Sequence, residues 1–106
     1  MSTFDEREKS YEAKYAYDQE TNFKINARRN RLFGEWAAEQ LGLSGSEAEA
    51  YAKQVIAADF DKPGDEDVFA KVWADLQEKG VEISEHRVRK RMSDLLEVAR
   101  EQIVSQ

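Results

Sequence analysis

The chain has 106 residues, 41% of them hydrophobic, and a net charge of −6 at neutral pH. That length supports one compact domain burying roughly two-thirds of its unfolded surface, and the negative balance opposes generic attraction to phosphate backbones or anionic membranes. The absence of cysteine excludes disulfides, thiolate nucleophiles and cysteine-ligated zinc or iron–sulfur centres. No run approaches the ~20 apolar residues that cross a bilayer. The opening Met1–Glu6 carries neither a basic region nor an apolar signal core, so a cytoplasmic location is the expectation.

Four segments show helical periodicity, and short stretches holding almost all of the glycines and the single proline separate them. This punctuation predicts an all-α four-helix bundle with tight connections. Helical spacing runs from about Phe4 to Leu41, with Gly34 the only interior breaker. In its second half Ile25, Leu32, Phe33, Trp36, Ala37 and Leu41 form an apolar stripe that Gly42 ends. Residues 1–22 differ: they are strongly charged, Leu, Ile and Val are absent before Ile25, and the aromatics Phe4, Tyr11 and Tyr15 share one helical face. Such a segment has little to bury, so it reads as a flexible or partly helical arm ahead of a bundle over 23–106. The first bundle helix is expected over about 23–41.

The second helix is expected over about 46–61, with Ser46 and Glu49 as a capping box. Its buried face would be Ala48, Tyr51, Ala52, Val55, Ile56 and Phe60. The Asp61–Gly64 stretch forces a turn around Pro63, after which Asp65 can cap a third helix over about 65–79. That helix places Val68, Phe69, Val72, Trp73 and Leu76 on one side and stops at Gly80. Ser84 caps a fourth over about 84–104, whose apolar positions are Val88, Met92, Leu95, Leu96, Ala99 and Ile103.

Catalytic chemistry finds little support, and the chain reads as a non-enzyme without cofactor or metal. The one histidine, His86, sits between Glu85 and Arg87 near a helix start, where a solvated role suffices. The acids of Asp59–Asp61 and Asp65–Asp67 miss the calcium-loop spacing. No glycine-rich phosphate loop is present. Two basic clusters remain. Arg28, Arg29 and Arg31 beside Trp36 offer a weak ATP or ADP surface. Arg87, Arg89, Lys90 and Arg91 resemble a basic helix face, but the surrounding acidity argues against nucleic acid. The arm carries the stronger physical argument: an amphipathic segment with aromatic anchors recovers its ordering entropy when a partner groove receives it.

Particular strings then point to a family. Thr3–Glu8, Glu12–Ala16, Ala27–Leu32 with Gly34–Glu39, Ala50–Lys53, Asp59–Phe60 and Gly64–Phe69 occur in that order. Together they resemble the zeta subunit family, the ATPase inhibitor of alphaproteobacterial F-type ATP synthases, over essentially the whole chain. The resemblance implies a four-helix domain whose N-terminal segment, about residues 1–19, becomes an ordered helix in a catalytic interface of the enzyme head. There it would meet the alpha, beta and gamma subunits and block ATP hydrolysis, which implies a peripheral location on the cytoplasmic face of the inner membrane, without membrane insertion. On the face read above, Phe4, Tyr11 and Tyr15 would be anchors, and Asp5, Arg7 and Lys14 charge partners. The family pattern often has histidine where this chain has Tyr17, and phenylalanine at 11 or 15, departures that bear on potency. Two other readings stand beside inhibition: a nucleotide-responsive binding module, and an assembly subunit that binds without inhibiting.

Overall fold

The computed structural model describes residues 18–61 and 65–105, apart from the side chains of 60 and 61. All regular structure among these residues is helical: α1 (Gln19–Gln40), α2 (Gly45–Asp61), α3 (Asp65–Lys79) and α4 (Glu85–Val104). The expected four helices are present. Helix α1 packs most extensively on α2 and α4, and α3 closes the bundle against all three.

Local chemistry accounts for most helix ends. Asp18 lies in the extended region, and its carboxylate accepts from the Thr21 N–H at 2.8 Å. Helix α1 therefore begins at Gln19, four residues upstream of the expected start. Ser84 caps α4 in the same manner, accepting from the Arg87 N–H at 3.1 Å. At the other ends, α1 and α3 stop alike. The Leu43 N–H reaches the Ala38 carbonyl while Gly42 N–H reaches Glu39, and Val81 and Gly80 repeat the pattern onto Leu76 and Gln77. This paired closure needs a residue at positive φ, which Gly42 (78°) and Gly80 (80°) supply.

Helix α2 departs from expectation at its start. It begins at Gly45, with the Ala48 N–H bonded to the Ser44 carbonyl. Ser46 consequently sits inside the first turn instead of capping it. The helix register is unchanged: Tyr51, Ala52 and Val55 of the expected face are buried and Ala48 and Ile56 half-buried, while the Phe60 side chain lies outside the described ones.

The core joins Phe33, Ala37, Ala38 and Leu41 of α1 to Tyr51 and Val55 of α2, Val68, Phe69, Val72 and Leu76 of α3, and Val88 and Met92 of α4. Each helix contributes an apolar stripe, and burying such side chains stabilises by roughly 1.5–3 kcal/mol each. Trp36 and Trp73 lie at the margin, stacked on Phe33 and Phe69 with ring centroids 5.8 and 5.9 Å apart. Gly34 belongs to this packing. A Cβ built on it would stand 2.8 Å from the Ala52 Cα, so it marks a close approach of α1 and α2 and not an interruption of the helix.

Candidate functional site

The arm residues expected to bind a partner, Phe4, Asp5, Arg7, Tyr11, Lys14 and Tyr15, lie outside the described residues. What is described is the junction where they attach. Hydrogen bonding to Thr21, through its backbone first and its side chain second, holds the Asp18 carboxyl below the usual range, with Lys24 adding to the effect. The first turns of α1 are polar and solvated. Lys24 pairs with Glu20 at 3.5 Å, and Phe23 is 59% exposed. Burial begins at Ile25.

The basic cluster of α1 divides among three surroundings. Successive residues of a helix point about 100° apart, so neighbouring arginines cannot share a face. Arg28 donates to the Gln102 Oε1 of α4 at 2.7 Å, and Arg31 bonds Glu35 on its own helix at 3.2 Å. Arg29 turns inward and is 2% exposed, donating from Nε to Asn30 Oδ1 and from Nη2 to Asp65 Oδ1, both at 2.7 Å. Arg31 lines a cavity of about 300 Å³ with Glu35, Glu49 and Lys53 between α1 and α2. Trp36 lines a different one, with residues of α4. The four residues proposed for a nucleotide are thus not gathered in one pocket.

Asp65 was expected as an N-cap. It stands as the first residue of α3, and its carboxylate holds Arg29. A buried guanidinium is tolerated because its Nε and Nη2 are both bonded, and among the described residues no fully buried side-chain nitrogen or oxygen lacks a partner. Sequence reading missed this tie because no local pattern links residues 29 and 65.

The basic run of α4 also divides. Arg89 makes two parallel bonds to Glu66 of α3, at 3.0 and 3.1 Å, a third to Glu85, and lies 3.9 Å over the Phe69 ring. Those bonds, Glu66 first, raise its pKa further. Lys90 pairs with Asp94. Arg89 and Lys90 are therefore engaged within the bundle.

A second polar group lies between α2 and α3. Tyr51 donates to Asp75 at 2.7 Å, and Lys71 pairs with the same carboxylate at 2.8 Å and crosses the Tyr51 ring. Burial, then the bond and charge of Asp75, push the Tyr51 hydroxyl far above its ordinary range, so it stays a proton donor. This group fastens two helices. Among the described residues no cluster of His, Cys, Asp and Glu is placed to hold a metal ion, and His86 is exposed.

The family model for ATPase inhibitor subunit zeta matches residues 1–102. A solution NMR structure of a protein that is 48% identical covers 78% of this chain and 94% of its own, with a TM-score of 0.69. Among curated proteins, no sequence matches the chain.

Proposed function

The chain belongs to the ATPase inhibitor subunit zeta family, and on that premise we propose that it restrains ATP hydrolysis by inserting its N-terminal arm, as a helix, into a catalytic interface of the F-type ATP synthase head. Binding to that enzyme follows from the family. The division of labour, an arm over 1–22 and a bundle over 23–106, is the mechanistic part. Its support is one observation: the bundle's described core is built from Ile25 onward, while the preceding residues supply aromatics on one helical face and no Leu, Ile or Val. A segment of this composition stabilises itself little and gains most from a groove supplied by a partner.

Inhibition of this kind requires no reacting group. It requires that the arm bind one rotary conformation more tightly than the others, because only differential affinity shifts a population. Phe4, Tyr11 and Tyr15 supply apolar area for that contact, and Asp5, Arg7 and Lys14 fix its register. The bound surfaces would belong to the alpha, beta and gamma subunits. Among the described residues no helix is long and apolar enough to cross a membrane, and the chain would reach the inner membrane's cytoplasmic face only through the enzyme.

The test compares wild type with the full-length Phe4→Ala/Tyr11→Ala/Tyr15→Ala variant on ATP hydrolysis by membrane-detached ATPase. Wild type should inhibit and the variant should lose inhibition while keeping its helicity and melting temperature. Equal inhibition by both would remove the arm as effector. No inhibition by wild type, with binding retained, would favour the assembly-subunit reading.

A further inference from the structure

We infer that the cleft between Trp36 and Gln40 of α1 and Arg87 and Arg91 of α4 receives a carboxylate-bearing segment of the partner protein. The inference rests on the proposed binding to the ATP synthase, and adds a second contact on the bundle, separate from the arm. It starts from the basic run of α4, which the structure divides into two faces. Arg89 and Lys90 carry acids of this chain. Arg87 and Arg91, one turn apart on the other face, are both exposed, and among the described residues neither forms an ion pair.

The cleft they border holds about 210 Å³ and is lined by Trp36, Gln40, Ile83, Arg87 and Arg91. The Arg91 guanidinium carbon stands 6.0 Å from the centre of the Trp36 ring, and Trp36 in turn stacks on buried Phe33. Aromatic backing favours a guanidinium held with its donors outward, ready for a planar acid. A chain of net charge −6 in which, among the described residues, Arg87 and Arg91 carry no ion pair on one wall of the cleft presents there a local field opposite to its own. Such a field steers and orients an acidic partner. Size selects within the anions: sites for drug-sized ligands enclose about 300–1,000 Å³, so this cleft suits the ends of one or two Asp or Glu side chains better than a nucleotide.

Two measurements on the full-length protein decide it. A hexaglutamate peptide is titrated while the Trp36 indole and the Arg87 and Arg91 side-chain NMR signals are followed, with ADP in a parallel titration. Saturable shifts with the peptide, absent in the Arg87→Glu/Arg91→Glu variant and retained by Arg87→Lys/Arg91→Lys, are expected. No peptide response, the same response in the charge-reversed variant, or tighter saturation by ADP overturns the assignment. Binding to detached ATPase is then measured at low and high salt. Charge reversal should weaken it by roughly tenfold and flatten its salt dependence, with full inhibition recovered at saturating protein because the arm is intact. Unchanged affinity, when wild type inhibits, overturns the second contact and leaves the inhibitor reading standing. Peptide saturation by a wild type that neither binds nor inhibits the enzyme supports the acid-receiving cleft and defeats the inhibitor reading instead.

Discussion

The two ends of the work done by α1 are visible in one helix. Its first turns are held by local means: Asp18 caps, Glu20 pairs with Lys24, and Phe23 stays largely exposed. Its middle is held by the rest of the molecule, with Arg29, Asn30, Phe33, Gly34, Ala37 and Ala38 buried against the other helices. The difference separates stability from recognition. Changes in the middle should unfold the bundle, whereas changes at the start should alter only what happens beyond it.

The largest effect is expected where the middle meets α3. Replacing Asp65 by Ala leaves the Arg29 guanidinium buried with Asn30 alone, and because the pair is buried on the arginine side only, the cost reaches at most the about 3 kcal/mol of breaking a fully buried pair. For a domain of this size that lowers Tm by at most roughly 10–20 °C. A thermal unfolding curve checks it, and a shift of only a few degrees would mean that water replaces the carboxylate. Asp65 is well exposed on its outer side, which favours the lower end of that range.

A smaller effect, informative by its sign, is expected at Gly34. In an open helix Gly→Ala stabilises by about 1 kcal/mol. Here the new methyl meets the Ala52 backbone at 2.8 Å, and overpacking of this kind costs about 1–3 kcal/mol. Gly34→Ala should therefore lower the unfolding free energy by a net of about 1 kcal/mol, read as a lower denaturant midpoint. A raised midpoint would show that α1 and α2 separate without loss.

The smallest effect belongs to the start. Because the Asp18 carboxyl is held below its ordinary pKa, its contribution is fully present above the unfolded value and is lost as pH falls through the folded one. Residues 19–22 should lose helical Cα chemical shifts on acidification below about pH 4, ahead of the residues around Phe33. Asp18→Asn keeps an N-cap side chain and should remove that pH dependence. Simultaneous loss at both places would mean that the two parts of α1 are one cooperative unit.

Much of this architecture was legible beforehand. The stripes of α3 and α4 put Val68, Phe69, Val72, Leu76, Val88, Met92 and Ala99 where they are buried, because a 3.6-residue period fixes which side chains share a face. Ser84 worked as expected because a cap bonds an amide three residues on. Asp18 was overlooked as a cap, since the polar residues after it gave no apolar stripe to announce a helix.

By itself the sequence determined the helices, their apolar faces and the contrast in composition between a polar opening segment without Leu, Ile or Val and the apolar residues from Ile25 onward, all legible within a few residues. Only the tertiary structure decided that Arg29 is a buried tie to Asp65, that Gly34 is a crossing point, and that Arg87 and Arg91 part from Arg89 and Lys90. Those roles depend on what a second helix brings to within a few ångströms. Residue type and spacing along one helix carry no record of that neighbour.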